Sequence, residues 1–245
     1  MLIGQLKVHD EILRRIREKF TNNGRLMVRS SSNCEDNKEM AGAGLYDSFA
    51  NVSPTDADTA IRNVWASLWT KNATMSRRHC GIPYNNVYMA VLIQQMLIPD
   101  LSFIMHTVNP ISLNSDEIYV ELAAGLGETL ASGAVRGVPY RMICRKKTGD
   151  VQLLTFANFS YAILPDEAGG VRYKRIDYSS IVLSTKAEIR HKLGKRIAAI
   201  GQFVENAFGY PQDIEGAIVG DDIYLVQSRS QQGNINFHGI NRTKD

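Results

Sequence analysis

Two carboxylates, an amide and a guanidinium recur at strand spacing in the stretch Gln212–Arg229, QDIEGAIVGDDIYLVQSR. In its first half Asp213, Glu215 and Ala217 alternate with Ile214, Gly216 and Ile218. In its second half Ile223, Leu225 and Gln227 alternate with Tyr224, Val226 and Ser228. A turn at Gly220-Asp221-Asp222 makes the two halves an antiparallel hairpin and gathers Asp213, Glu215, Gln227 and Arg229 into one polar corner. That set suits a nucleotide. Carboxylates hold Mg²⁺ against phosphates, and an arginine neutralises phosphate charge. Periodicity alone equally describes an amphipathic hairpin with a solvated face.

Two further stretches present groups to an anion. A short strand over Arg25–Ser30 ends at Arg29 and runs into Ser30–Gly44, a polar loop with glycines at its far end. Its hydroxyls and amides can close over phosphates, or it is a plain surface loop. After a strand over Glu117–Ala123, the turn Gly125-Leu126-Gly127-Glu128 can expose amides, a weak signal by itself.

The elements that must position these residues follow from apolar spacing. Helices are expected over Leu6–Phe20, from Ser53 to about Arg78, and over Lys186–Phe208. The second begins with good capping chemistry at Ser53-Pro54-Thr55-Asp56. Lys71, Arg77 and Arg78 then read as cationic last turns matching the helix dipole. Leu45–Val52 reads as a short strand. Val87–Ile98 reads as a central strand, with Leu101–Val108 as its antiparallel partner across Pro99-Asp100. Val138–Arg145 and Val151–Phe156 form a further hairpin, and Ile163–Arg175 reads as irregular. The stretch 231–245 is polar and is expected to be a loose tail.

Composition narrows the class. The 245 residues are 44% hydrophobic and 22% charged, as in ordinary globular chains. A net charge of +3 makes no case for nucleic acid or an anionic membrane, and no apolar run is long enough to span a bilayer. The first twenty residues carry charges throughout and lack a signal-peptide core. Cys34, Cys80 and Cys144 lie far apart and without metal-ligand spacing, which points to an intracellular, reducing compartment, cytosol or plastid. None of His9, His79, His106, His191 and His238 has the small-residue surroundings of an exposed nucleophile. His106, inside FIMHTV, reads as a satisfied strand histidine.

Taken in order, VRSSSNCEDNKEMAGAGLYDSF, VWASLW, MAVLIQQML, DLSFIMHTVNP, GLGETLASG and QDIEGAIVGDDIYLVQSR resemble the nucleotide-binding domain of the phosphoenolpyruvate synthase and pyruvate, phosphate dikinase superfamily. AGLYDSFANVSP, GETLASG with the R-G-x-P stretch Arg136–Pro139, FANFS and VRYKRIDYS resemble its phosphoglucan, water dikinase branch. The resemblance runs from about Arg25 to Arg229. It implies an α/β (α+β), ATP-grasp-like fold, with antiparallel sheets and flanking helices in two lobes around a nucleotide cleft. The nucleotide-binding domain would span 1–230, with the tail after it. It also implies a reaction with ATP and Mg²⁺ in which the β-phosphate passes to a histidine on another domain and then to glucan. The γ-phosphate goes to water.

By the same resemblance Arg29, Gln227 and Arg229 meet the phosphates, and Gly44 lies in the loop covering them. Asp213 and Glu215 hold Mg²⁺, Gln94, Gln95, Met96 and Leu97 line the adenine edge, and Glu128 lies at the ribose or base. The superfamily's phosphohistidine motif and its glycine-flanked lysine are not among these residues, so the expectation is a chain lacking part of the N-terminal lobe. The partners implied are a phosphohistidine domain of the same protein, and glucan or starch bound through other domains. The other readings are a pyruvate-directed dikinase of the phosphoenolpyruvate synthase type and a catalytically silent nucleotide-binding module.

Overall fold

The computed structural model describes residues 5–20, 24–37, 40–41, 44–133 and 136–232. The chain forms two compact units, Met1–Ile98 with Leu164–Tyr173 and Pro99–Ile163 with Lys174–Asp245.

The first unit holds helix α1 (Asp10–Lys19) and strands β1 (Leu26–Ser32), β2 (Asp36–Asn37), β3 (Met40–Ala41) and β4 (Phe49–Val52), then helices α2 (Ala57–Ser67) and α3 (Lys71–His79) and strand β5 (Met89–Gln95). Its main sheet has the antiparallel order β4-β1-β5. Alternation turns Leu26 and Val28 of β1, with Val91 and Ile93 of β5, toward Ile61 and Val64 of α2 and Ile16 of α1, closing one apolar core. β1 is therefore the central strand, and Val87–Ile98, expected in that place, supplies an edge.

The single long helix expected from Ser53 is two helices. Thr70 caps the second, its side chain accepting from the Ala73 N–H, and a capping hydroxyl competes with helix continuation. Arg77 lies in the last turn of α3, as expected, and is fully buried. Its Nη1 donates to the Tyr46 hydroxyl at 3.3 Å and its guanidinium lies 5.5 Å from the centre of the Trp69 ring. Within the loop after β1, Lys38, Glu39, Gly42 and Ala43 lie outside the described residues.

The second unit holds strands β6 (Leu101–His106), β7 (Glu117–Ala124), β8 (Tyr140–Arg145) and β9 (Val151–Thr155), with the short helix α4 (Glu128–Ala131) after β7. Strands β10 (Tyr161–Pro165) and β11 (Val171–Arg175) form a two-stranded ribbon where irregular chain was expected. Helices α5 (Val182–Thr185) and α6 (Ala187–Phe208) and strands β12 (Gln212–Val219) and β13 (Asp222–Ser230) complete it. Among the described residues its sheet has six strands in the order β13-β12-β6-β7-β8-β9, antiparallel throughout. β6 thus pairs with β12 and β7. Its expected partner β5 belongs to the other unit's sheet, because the Pro99-Asp100 connection links two sheets and is not a hairpin turn.

Helix α6 covers one face of this sheet. Gly201 allows the approach: a Cβ there would sit 2.6 Å from Met105 Sδ. The covered face is apolar and buried, with Phe103, Met105, Val120, Leu122, Met142 and Ile214 each at most 1% exposed. Gln231, expected in the loose tail, is 6% exposed, and its side-chain amide bonds both the N–H and the carbonyl of Val108. Residues 233–245 lie outside the described part.

Candidate functional site

The hairpin β12–β13 forms and gathers the four expected residues, with Asp213 opposite Arg229 and Glu215 opposite Gln227. A bulge lies between Glu215 and Gly216, so the two strands keep step at the polar end and slip beyond it. Asp213 is buried and its Oδ2 accepts from Arg229 twice, from Nε at 2.9 Å and Nη2 at 2.8 Å. The other oxygen, Oδ1, is buried without a hydrogen-bond partner.

The register carries this polar row across the sheet. Asp213 lies opposite His106 of β6, and His106 opposite Tyr119 of β7. Two residues along, on the same face, Glu215 lies opposite Ile104, Ile104 opposite Glu121, and Glu121 opposite Arg141 of β8. The Tyr119 hydroxyl donates to Glu121 Oε1 at 3.0 Å, and Arg141 Nε donates to the same oxygen at 2.8 Å. Burial, and then the Glu121 charge, pushes the Tyr119 hydroxyl up to about 12. His106 is not the satisfied histidine its strand position suggested, since its Nδ1 is buried without a partner.

His106, Tyr119, Glu121 and Arg141 therefore extend the expected set. The alternation of Tyr119 and Glu121 with Ile118, Val120 and Leu122 was a signal for two of them.

The first unit has its own polar face. Register places Arg29 opposite Leu92 and Met27 opposite Gln94, on the side of the sheet turned away from the core. Of the two expected adenine-edge residues that lie within β5, Gln94 shares that face with Arg29. Gln95 pairs with Leu26 on the opposite side, and Met96 is buried with its N–H donating to the Arg25 carbonyl at 2.8 Å. Leu97 follows the strand. Gly44 adopts φ +72°, a conformation that favours glycine, and among the described residues a Cβ added there would meet nothing within 4 Å.

In the second unit Glu128 opens α4, and burial raises its carboxyl above the usual range. The turn before it is less open to anions than its glycines suggested. The Leu126 N–H already donates to the Ile163 carbonyl at 2.9 Å. Two surface cavities of this unit, about 650 and 900 Å³, are lined by other residues and include none of the expected site residues.

Among the described residues no group of three or more His, Cys, Asp or Glu side chains is placed to hold a metal alone. Asp213 and Glu215 nevertheless fit Mg²⁺, an ion usually held by one or two carboxylates with phosphate oxygens completing its shell. The orphaned Asp213 Oδ1 is the kind of ligand atom such an ion takes.

Residues 6–239 match the family model described as the pyruvate phosphate dikinase AMP/ATP-binding domain. The chain belongs to this family. Its relatives include a probable phosphoenolpyruvate synthase of Pyrococcus horikoshii, 32% identical over 91% of this chain and 28% of that protein. A rifampicin phosphotransferase of Bacillus cereus is 35% identical over 82% of this chain and 23% of that protein. A chloroplastic alpha-glucan water dikinase of Solanum tuberosum is 35% identical over 70% of this chain and 14% of that protein. The chain thus spans a minor part of these relatives' length. As a pyruvate phosphate dikinase-type nucleotide-binding domain, it has the mixed α/β architecture of antiparallel sheets and flanking helices expected of it.

Proposed function

We propose that this nucleotide-binding domain serves a phosphoglucan, water dikinase-type phosphotransferase. ATP would be cleaved so that its β-phosphate reaches a histidine on another domain of the same protein and then a phosphorylated glucan. Its γ-phosphate would pass to water, leaving AMP and orthophosphate. The observation that carries the nucleotide part is the row Arg229–Asp213–His106 beside Glu215 and Gln227, a partly buried polar face with a carboxylate oxygen free for a cation. What supports the glucan branch is the set AGLYDSFANVSP, GETLASG and FANFS, together with a glucan dikinase among the relatives at 35% identity.

In this reading Asp213 and Glu215 hold Mg²⁺, which draws charge off the phosphates and fixes their orientation. Gln227 donates to a phosphate oxygen, and Arg229 binds the transferring phosphoryl group. A planar guanidinium counts most where charge spreads over the equatorial oxygens as the bond to the leaving oxygen lengthens. Glu128 contacts the base or ribose.

The test is AMP release by the protein at its native length, supplied in turn with phosphorylated glucan, pyruvate and rifampicin. Release stimulated by phosphorylated glucan alone supports the proposal. Stimulation by pyruvate favours the phosphoenolpyruvate synthase reading, to which the Pyrococcus relatives lend similar identity. Binding of MgATP without AMP release under any condition favours a silent nucleotide module. Absence of MgATP binding by calorimetry defeats the nucleotide assignment itself.

A further inference from the structure

One side chain on the polar face is left without a role. His106 Nδ1 is buried and unbonded, and so is the Asp213 Oδ1 that the reading above offers to a cation. His106 Nε2 stands 3.8 Å from Asp213 Oδ1, outside hydrogen-bonding range. Complementary polar groups buried side by side and left unjoined are rare in folded chains, because each forfeits its bonds to water. The neighbouring ring does not relieve them. Tyr119 lies 6.3 Å away, centre to centre, and gives its hydroxyl to Glu121. Local rules broken without compensation concentrate where a structure must change state to work.

The rest of the row indicates which change. Arg229 turns both Nε and Nη2 onto Asp213 Oδ2. Those are the two donors with which a guanidinium grips a phosphate, so the same edge cannot serve both anions fully. If Arg229 turns to a phosphate, Asp213, with its side chain only 11% exposed, loses both donors on Oδ2 and with them what fixes the carboxylate that faces the cation. The nitrogen nearest to the deserted carboxylate on this row is His106 Nε2, opposite it in register. A movement of under about 1 Å brings a 3.8 Å separation into bonding range.

We infer that His106 is a positioning residue for the nucleotide site: its Nε2–H takes hold of Asp213 when Arg229 turns from that carboxylate to a phosphate. The hand-over needs a hydrogen on His106 Nε2. One donor replaces another on Asp213 and no proton is transferred. The inference rests on the nucleotide reading above.

Three substitutions separate a hand-over from a packing role. His106→Phe keeps a ring beside Tyr119 and removes both nitrogens. His106→Gln restores a donor near Nε2, and His106→Asn places one nearer Nδ1. Binding of the magnesium complex of a non-hydrolysable ATP analogue is measured by calorimetry on the protein at its native length, beside the melting temperature without nucleotide. His106→Phe should weaken binding about tenfold, the factor corresponding to one charge-assisted hydrogen bond of modest strength. His106→Gln should recover most of that loss and His106→Asn should not.

The melting temperature of His106→Phe should equal or exceed that of the parent, because the substitution removes an unsatisfied buried nitrogen. In ¹⁵N spectra of the parent, nucleotide should shift Arg229 Nε and His106 Nε2 together. Unchanged affinity in His106→Phe overturns the inference at any melting temperature. So does a His106 resonance that stays still while Arg229 moves, even if affinity has fallen, since the loss would then be one of packing. If the parent binds no nucleotide, the reading beneath the inference falls and the inference with it. If the parent binds and His106→Phe binds equally well, only the hand-over is lost.

Discussion

The two faces of the six-stranded sheet are made by the same strands and differ by one residue of alternation. On one, Phe103, Met105, Val120, Leu122, Met142 and Ile214 are almost wholly buried under α6, and glycines at 194 and 201 let the helix come close. On the other, Asp213, His106, Tyr119, Glu121 and Arg141 sit in register, joined by two ion pairs of 2.8 Å and interrupted by two orphaned polar atoms. A sheet face merely turned to water has exposed charges and no orphans. Here Tyr119 is 5% exposed and Asp213 is 9% exposed, so the second face resembles an interior lined with polar groups. One face holds the sheet to its helix; the other carries the charge needed for binding at some cost to stability.

The contrast can be broken first at the arginines. Arg229→Ala should lower AMP release by the native-length protein on the order of 10³-fold or more, as loss of a phosphoryl-stabilising guanidinium does. Arg29→Ala, on the polar face of the first unit, should do the same. Lysine at either position should recover little, since a point charge cannot reproduce the planar fork. Near-parental rates in either alanine variant would make that arginine a surface charge. Circular dichroism must show the variants folded. This matters most for Arg229→Ala, which strips a partner from buried Asp213.

Adjacent residues of β12 sharpen the comparison. Ile214→Ala should cost about 2–5 kcal/mol in denaturant unfolding, because it empties a fully buried site. Glu215→Ala, one residue on and facing the other way, should cost about 1 kcal/mol or less while weakening MgATP binding severely. Equal destabilisation by both would mean that the faces do not divide the work. Gly216→Ala returns to the covered side. A Cβ there would lie 2.1 Å from the Phe103 ring, and the resulting overpacking should cost about 1–3 kcal/mol in the same measurement.

The smallest effect is expected at Glu128. Its carboxyl is raised by burial, so folding favours the protonated form. That stabilisation is complete below the unfolded-state pKa and is lost as pH rises through the higher folded value. Glu128→Gln should therefore melt slightly above the parent at pH 8, with the gain shrinking toward pH 4. A gain that grows on acidification would contradict the cause assigned to the shift.

Much of this architecture was legible in local patterns. The alternation of Asp213 and Glu215 with Ile214 foretold the hairpin and the polar corner it shares with Arg229, and the apolar stripe from Ile189 to Phe208 foretold α6. The failures were of two physical kinds. Thr70 split a helix that apolar spacing would have carried through, because a capping hydroxyl overrides propensity at a single residue. The partner of β6 was misassigned because adjacency in sequence says nothing about a strand that returns a hundred residues later. The same long-range pairing brings His106 to Asp213, and no local pattern around FIMHTV carries that information. Gln95 was expected with Gln94, but consecutive strand residues point to opposite faces and only Gln94 shares the face of Arg29.

The ribbon of β10 and β11 has a consequence for anyone who divides the gene. Its tip, Leu164–Tyr173, belongs to the first unit, while the chain on either side belongs to the second. Asn51, held at φ +60°, donates its Nδ2 to the carbonyls of Asp166 and Gly170, and Arg25 donates to the carbonyl of Glu167. The polypeptide therefore crosses between units three times, and a break between residues 98 and 99 does not yield two self-sufficient halves. The piece 1–98 would lack the acceptors that Asn51 and Arg25 use, and the piece 99–245 would carry a finger cut off from its socket. Co-expressed, the two pieces complete the first unit only where the finger of one is seated against Asn51 and Arg25 of the other.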